Sequence, residues 1–300
     1  MRPTRATVDG RAYLDLQNKA REEKRPTDEL LALYALEGFL TRLADSSYSD
    51  RLVLKGGVLL AAFDARRTTR DVDLQASAVS NDVDAVLGLI CEIAALTTDI
   101  DDGLVFDTDH ATAEGIRDED EYSGVRVSLT GRLSQAKIAF HVDVNVGDPV
   151  WPAPEQVELP RLLGGTISLR GYPIPMVYAE KLVTAVARGT ANTRWRDFGD
   201  VYVLSGIHRV TADALRGAIS TVAAHRGVAL APLKVILDGY EAIAQTRYAA
   251  WRRRNRREEL PASFADLLSA VIDFADPVLG RPTQPGHLAA GTTSVAVALR

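Results

Sequence analysis

Residues 52–74 read LVLKGGVLLAAFDARRTTRDVDL, and their order of apolar, glycine and acidic side chains sets the expected local topology. The first apolar run predicts a short buried strand that ends at Gly56 and Gly57. The apolar run after the glycines predicts the first turns of a helix. Asp71–Leu74 then alternates acidic and apolar side chains, as a half-buried strand does. We therefore expect a strand, a glycine turn, a helix and a second strand.

The glycine turn and the second strand each carry a possible function. Two glycines let backbone amides approach a ligand, and the helix start that follows favours a phosphate, although glycine pairs also form turns without ligands. On a strand, Asp71 and Asp73 point to the same face, where two carboxylates repel each other unless a cation lies between them. Mg²⁺ suits such oxygen ligands. An acidic edge strand that resists aggregation is the alternative for this pair.

A later stretch, FHVDVNV at residues 140–146, contributes another carboxylate. Its valines face one side of a predicted strand, and His141, Asp143 and Asn145 face the other. A polar face on such an apolar strand is expected where it lines a site. Asp143 is therefore a candidate third metal ligand, with a solvated sheet face as the alternative. His141 is interpreted as a structural or supporting residue.

Together these elements resemble the polymerase-β-like nucleotidyltransferase superfamily, and more closely the AbiEii/AbiGii toxin family, which includes the mycobacterial MenT toxins. The family motifs are G-G-x-x-L, R-x-[ST]-x-D-x-D, a helix with a lysine, and R-D-x-x-D. The matching residues here are Gly56-Gly57-Val58-Leu59-Leu60, Arg67-Thr68-Thr69-Arg70-Asp71-Val72-Asp73, Lys181 and Arg194-Trp195-Arg196-Asp197-Phe198-Gly199-Asp200. The match covers about residues 50 to 205. Many superfamily members have Ser or Thr after the glycine pair where this chain has Val58 and Leu59, so phosphate contact there would use backbone amides.

The resemblance implies an α/β (α+β) fold. An N-terminal nucleotidyltransferase domain with a mixed sheet and helices would be followed by a C-terminal helical bundle. From this and from the change in composition after Pro173, we expect an N-terminal arm at 1–26, the α/β domain at 27–170, a helical domain at 171–279, and a flexible tail at 280–300.

The resemblance also implies roles for individual residues. Asp71 and Asp73 would bridge two Mg²⁺ ions, and Asp143 would help to hold the ion on the acceptor side. Lys181 would bind the triphosphate, and Asp200 would orient Lys181 or the base. The implied nucleotide-binding residues are Gly56, Gly57, Arg67, Thr69, Arg194 and Asp197. The alternatives are a surface lysine for Lys181 and a salt-bridged helix face for residues 194–200.

Thr69 lies two residues before Asp71. In some toxins of the family, the antitoxin phosphorylates a Ser or Thr at this position, which adds negative charge beside the metal carboxylates. Thr69 is thus a candidate for regulatory phosphorylation, and an ordinary strand residue is the alternative. The resemblance implies a cognate antitoxin as a partner.

The composition restricts the functional class. The chain has 300 residues, is 46% hydrophobic, and carries a net charge of -5, which argues against a protein that coats nucleic acid over its whole surface. A single cysteine, Cys91, excludes an internal disulfide framework. The sequence contains no apolar run as long as a membrane helix and no apolar core of a secretion signal near residue 1. We expect a soluble cytoplasmic protein that does not bind membranes.

The densest basic stretch offers a local site for nucleic acid. It contains Arg252, Arg253, Arg254, Arg256 and Arg257. Continued as a helix, these residues would surround much of its circumference and could bind an RNA backbone. A solvated helix end is an equally good interpretation.

The resemblance implies transfer of a nucleoside monophosphate from a nucleoside triphosphate to the 3′ end of tRNA, which would stop translation. One alternative is a nucleotidyltransferase that acts on a protein or small-molecule hydroxyl. Another is a non-catalytic binding protein with a relic site.

Overall fold

The computed structural model describes residues 3–118 and 121–280, without the side chains of 117–118 and 121–123. The predicted flexible tail, apart from Gly280, lies outside the described residues. Contacts divide the chain into two compact units. The first comprises the residues up to Asp148 together with Pro154–Tyr172, and the second comprises Pro149–Ala153 together with the described chain from Pro173 onward.

The first unit combines helices with a seven-stranded sheet. Its helices are α1 (Val8–Glu22), α2 (Thr27–Asp45), α3 (Gly56–Leu59, continued by a 3-10 turn over Leu60–Phe63) and α4 (Val83–Ala94). Its strands are β1 (Leu52–Lys55), β2 (Asp71–Ala76), β3 (Leu104–Asp118), β4 (Glu121–Leu133), β5 (Ala136–Val146), β6 (Glu155–Pro160) and β7 (Thr166–Gly171).

The sheet is mixed, with the strand order β3-β4-β5-β2-β1-β7-β6. Strand β2 is parallel to β5, and β1 is parallel to β7, while the other neighbouring strands are antiparallel. The parallel pairing of β2 with β5 requires a crossover, which α4 and the β3–β4 hairpin provide. The predicted mixed α/β architecture is confirmed.

Alternation along the central strands separates a core face from a polar face. On β5, Val142 and Val144 are fully buried, and the ring of Phe140 lies 6.2 Å from that of Phe39 on α2. The residues between them, among them His141 and Asp143, must point to the other face because side chains alternate. Helix α2 therefore covers the apolar face, and the opposite face carries the polar residues.

The second unit is helical, as predicted for the chain after Pro173. Its helices are α5 (Ile174–Arg188), α6 (Trp195–Ile207), α7 (Ala212–His225), α8 (Leu233–Ile236), α9 (Tyr240–Arg254) and α10 (Phe264–Leu279). An aromatic cluster joins α6, α9 and α10, with ring centroids 5.3 to 6.3 Å apart; its members are Trp195, Phe198, Tyr240 and Phe264. In the described part of the chain, every helix is too short or too polar to cross a bilayer.

Candidate active site

A row of charged side chains crosses four neighbouring strands of the first unit. Lys55 at the end of β1 is the register partner of Asp73 on β2. Asp73 is in turn paired with Asp143 on β5, and Asp143 with Arg126 on β4. Residues paired in register project from the same face of a sheet. The charged row, Lys55-Asp73-Asp143-Arg126, thus places two carboxylates side by side with one cationic side chain beyond each.

Gly56 lies directly against this row. Its φ is +68°, a conformation that favours glycine, and a Cβ atom added there would overlap the carboxylate of Asp73. A Cβ added to Gly57 would lie 2.9 Å from the Arg67 guanidinium and 3.0 Å from the hydroxyl of Thr69. The two glycines therefore allow the residues around the second strand to approach the backbone closely.

Both carboxylate oxygens of Asp143 accept hydrogen bonds from Arg126. The Nε and Nη2 atoms of Arg126 donate over 2.8 and 2.7 Å, in a bidentate pair with a side chain that is only 11% exposed. The hydrogen bond to Asp143 raises the pKa of Arg126; partial burial opposes this, and the negative charges of Asp143 and Asp71 add to it. Asp143 is thus held by a permanent cation.

Lys55 is the cation at the other end of the row, and sequence reasoning did not single it out. Its side chain is buried, its ammonium nitrogen lies 3.5 Å from a carboxylate oxygen of Asp148, and 5.6 Å from the ring centroid of Tyr172. A lysine that ends an otherwise apolar strand, just before two glycines, was the available signal. Arg126 was missed because only the pairing of β4 with β5 brings it to Asp143.

The three predicted metal ligands all belong to this region of the first unit. Asp71 and Asp73 lie on the same face of β2, two residues apart, and Asp143 is the register partner of Asp73. Asp71 is paired with His141, whose Nδ1 lies 3.1 Å from the Ser128 hydroxyl. Among the described residues, however, no group of three His, Cys, Asp or Glu side chains is gathered closely enough to hold a metal ion.

Thr69 lies in the segment that leads into β2. It is 8% exposed, and its hydroxyl lies 3.4 Å from the backbone nitrogen of Asp71, a weak hydrogen bond. The neighbouring Thr68 is exposed. A kinase therefore reaches the Thr69 hydroxyl only if this segment moves.

The predicted lysine and R-D-x-x-D residues form an ion network in the second unit. The ammonium of Lys181 on α5 donates to Asp197 over 3.2 Å and to Asp200 over 2.8 Å. The Nε of Arg194 donates to Asp197 over 2.5 Å, and Arg257 lies 3.9 Å from Asp200. Burial alone would raise the pKa of Asp197, but the charges of Lys181 and Arg194 outweigh it and lower the pKa to about 2. Asp197 is therefore ionised at neutral pH.

The basic stretch does not continue as a helix, which corrects the expected spread of its arginines. Helix α9 ends at Arg254, and Arg252 turns back to donate to the carbonyl oxygens of Leu260 and Glu258. Arg257 forms ion pairs with Glu259 and Asp200. The exposed arginines of the stretch are Arg253, Arg254 and Arg256. Carbonyl groups beyond the helix end compete for the guanidinium groups, which periodicity alone does not reveal.

No curated protein sequence matches this chain. Two solved structures from Helicobacter pylori match this chain: one, provisionally named a nucleotidyltransferase, is 14% identical with a TM-score of 0.45, over 82% of this chain and 90% of its own. The other, JHP933, is 15% identical with a TM-score of 0.45, over 79% of this chain and 84% of its own.

A family model described as "Nucleotidyl transferase AbiEii toxin, Type IV TA system" matches residues 38–277. This range includes the glycine pair, the charged row and the Lys181 network. The family is one of nucleotidyltransferases from toxin–antitoxin systems. The chain belongs to the AbiEii family of nucleotidyltransferase toxins.

Proposed function

We propose that this nucleotidyltransferase transfers a nucleoside monophosphate from a nucleoside triphosphate to the 3′ end of tRNA, in a magnesium-dependent in-line displacement. The observation that carries the proposal is the register of the central strands. It brings the carboxylates of Asp73 and Asp143 side by side, next to a glycine turn. Phosphoryl transfer needs positioning and charge neutralisation rather than covalent chemistry by the protein, and these residues supply both.

The chemistry of the donor set suits a divalent cation of the magnesium type, and the described carboxylates would have to draw closer together to surround one. Asp71 and Asp73 present carboxylate oxygens on one strand face, and hard cations prefer such ligands. Asp143 adds a third carboxylate from the neighbouring strand, although Arg126 binds both of its oxygens. A bound pair of Mg²⁺ ions would neutralise charge on the attacking and leaving oxygens. Lys55 and Arg126 at the ends of the charged row each place a positive charge beside one of the two carboxylates, which limits their repulsion.

In the first unit, the nucleotide-binding groups are the backbone of Gly56 and Gly57 together with Arg67. Gly57 lies against Arg67, so an approaching phosphate would meet a backbone amide and a guanidinium together. Val58 and Leu59 are buried and provide no hydroxyl group. We assign Lys181 to the triphosphate as a compact positive charge, and Asp197 and Asp200 hold its ammonium in place.

We infer a tRNA acceptor from family membership and from the exposed arginines at the end of α9. Arg253 and Arg254 remain exposed, whereas Arg252 and Arg257 are held by internal hydrogen bonds. Exposed guanidinium groups suit the phosphates of an RNA backbone. A protein or a small-molecule hydroxyl is the competing acceptor.

In the decisive experiment, the purified protein is incubated with total RNA, cell lysate and nucleoside triphosphates that are labelled at the α-phosphate. We expect magnesium-dependent label at the 3′ end of tRNA. Asp73→Asn should abolish labelling without unfolding the protein, while Asp84→Asn, an exposed residue on α4, should retain it. Label confined to protein or small molecules would refute the tRNA acceptor. Full activity of Asp73→Asn would refute the assignment of the metal ligands.

We further propose that a cognate antitoxin silences the enzyme by phosphorylation of Thr69. Added negative charge at the start of β2 would repel the triphosphate and disturb Asp71, whose backbone nitrogen lies 3.4 Å from the Thr69 hydroxyl. Thr69→Asp should therefore lower transfer far more than Thr68→Asp, its exposed neighbour. Equal activity of the two variants would contradict a regulatory role for Thr69.

A further inference from the structure

Arg126 lies between two carboxylates in the register of the sheet. On one side, its register partner on β5 is Asp143, whose two oxygens accept its hydrogen bonds. On the other side, its register partner on β3 is Glu114, which is exposed. The side chain of Arg126 is 36% exposed, so it is not enclosed by the protein.

We propose that Arg126 and the acceptor-side divalent cation compete for Asp143, and that Glu114 receives the guanidinium when the cation binds. Arg126 is then a positioning residue that sets how tightly the carboxylates of the charged row hold a cation. This inference rests on the proposed function, because it assumes that Asp73 and Asp143 bind a divalent cation.

The geometry indicates that the Arg126 guanidinium competes with the cation for Asp143, rather than only holding Asp143 in position for it. A bidentate pair occupies one lone pair on each oxygen of Asp143 with N–H donors over 2.7 and 2.8 Å, so a cation that approaches this carboxylate meets the positive guanidinium and binds better as the guanidinium leaves. Glu114, the register partner of Arg126 on β3, lowers the free-energy cost of leaving Asp143, since the guanidinium exchanges one ion pair for another. Glu114 also adds to the rise in the pKa of Arg126, which is consistent with its nearness.

The test measures the affinity of the purified full-length protein for Mn²⁺, by calorimetry or from the electron paramagnetic resonance signal of free Mn²⁺. Arg126→Gln should bind Mn²⁺ about tenfold more tightly than the wild type, the order expected when a half-exposed bidentate ion pair is lost. Glu114→Gln should bind Mn²⁺ more weakly, because Arg126 then loses the carboxylate that is its register partner on β3. The matched control is Arg132→Gln on the same strand, which removes the exposed ion pair with Asp107 and should leave the affinity unchanged.

Arg126→Lys separates competition from a general effect of charge. Lysine keeps the positive charge but cannot bind both oxygens as a planar fork. Competition predicts tighter Mn²⁺ binding by Arg126→Lys, about threefold on the same basis. A variant that binds Mn²⁺ like the wild type would refute competition, even if Arg126→Gln bound it more tightly. Arg126→Lys also serves if Arg126→Gln does not fold, as judged by circular dichroism.

Asp73→Asn distinguishes failure of this inference from failure of the proposed function. If the wild type binds Mn²⁺ and Asp73→Asn does not, the metal assignment holds, and an unchanged affinity in the Arg126 variants overturns only the inference. If no Mn²⁺ binding depends on Asp73, both the metal assignment and the inference fail.

Discussion

At the scale of single residues, the position of Asp73 depends on Gly56, which has no side chain. Gly56 has a φ of +68°, and its Cα faces the Asp73 carboxylate so closely that a methyl group cannot be accommodated. The glycine pair was interpreted from the sequence as a place where a phosphate approaches the backbone. In the structure, Gly56 also accommodates the carboxylate of the neighbouring strand.

Gly56→Ala should therefore displace Asp73 and reduce transfer by at least about tenfold, with a loss of stability on the order of 1–3 kcal/mol from the strained backbone. The control is Gly88→Ala on α4, where an added Cβ meets nothing and helix propensity favours alanine. Transfer rates and urea unfolding of both variants provide the comparison. Wild-type activity in Gly56→Ala would show that the contact with Asp73 is not required.

Asp197 makes the free energy of unfolding of the protein depend on pH in the acidic range. Its pKa in the folded protein is about 2, below the ordinary value of 3.8, because Lys181 and Arg194 outweigh the effect of burial. A lowered carboxyl pKa stabilises the fold above the ordinary value, and this contribution is lost as the pH falls from about 4 to about 2. The amount is about 2 kcal/mol.

Urea unfolding at a series of pH values tests the predicted contribution of Asp197. The free energy of unfolding of the wild type should fall more steeply below about pH 4 than that of Asp197→Asn. The exposed control, Asp266→Asn, should follow the wild type. Parallel curves for Asp197→Asn and the wild type would contradict the assigned pKa.

At the scale of secondary-structure elements, a buried carboxylate joins three parts of the first unit. Glu37 on α2 is 1% exposed and accepts hydrogen bonds from Arg66, 2.6 Å away, and from the backbone N–H of Leu162. Arg66 belongs to the segment that leads into β2, and it also donates to the carbonyl of Pro160 at the end of β6. Burial raises the pKa of Glu37, while the charge of Arg66 opposes this rise.

Glu37→Ala should destabilise the protein by about 3 kcal/mol, because it leaves a buried amide without its acceptor and a guanidinium without its partner. Glu37→Gln should cost less, since its amide oxygen can still accept from Leu162. Urea unfolding measures both, with the exposed Glu22→Ala on α1 as the control. A change no larger than that of Glu22→Ala would mean that Glu37 does not hold these elements together.

At the scale of the whole molecule, the net charge of -5 confines any RNA contact to local positive surface. Within the basic stretch, internal hydrogen bonds occupy Arg252 and Arg257, whereas Arg253 and Arg254 remain exposed at the end of α9. Only guanidinium groups that reach solvent can replace the counterions of a phosphate backbone.

The double variant Arg253→Ala/Arg254→Ala should bind tRNA more weakly, and the slope of log affinity against log salt should decrease by about one to two. Exposed Arg209→Ala, on a loop of the same unit, is the control. Filter binding at several salt concentrations measures the slope. A slope equal to that of the wild type would place the RNA contact on another surface.

The sequence alone determined the local features of this protein. Alternation in residues 140–146 predicts which side chains of β5 face the core, because successive side chains of a strand point to opposite faces. The motifs in residues 52–74, taken together with Lys181 and the R-D-x-x-D segment at 194–200, resemble those of the family to which the chain belongs. The change after Pro173 predicted the helical part. These inferences succeed because they depend on neighbours within a few residues.

Only the tertiary structure decided what the acidic residues face. Strand order and register depend on crossovers and on packing over long sequence distances, so no local pattern reveals that Asp143 is paired with both Asp73 and Arg126. The same holds for the basic stretch, where carbonyl groups beyond the end of α9 accept hydrogen bonds from Arg252. Local periodicity specifies the face on which a charge lies, and the fold specifies its partner.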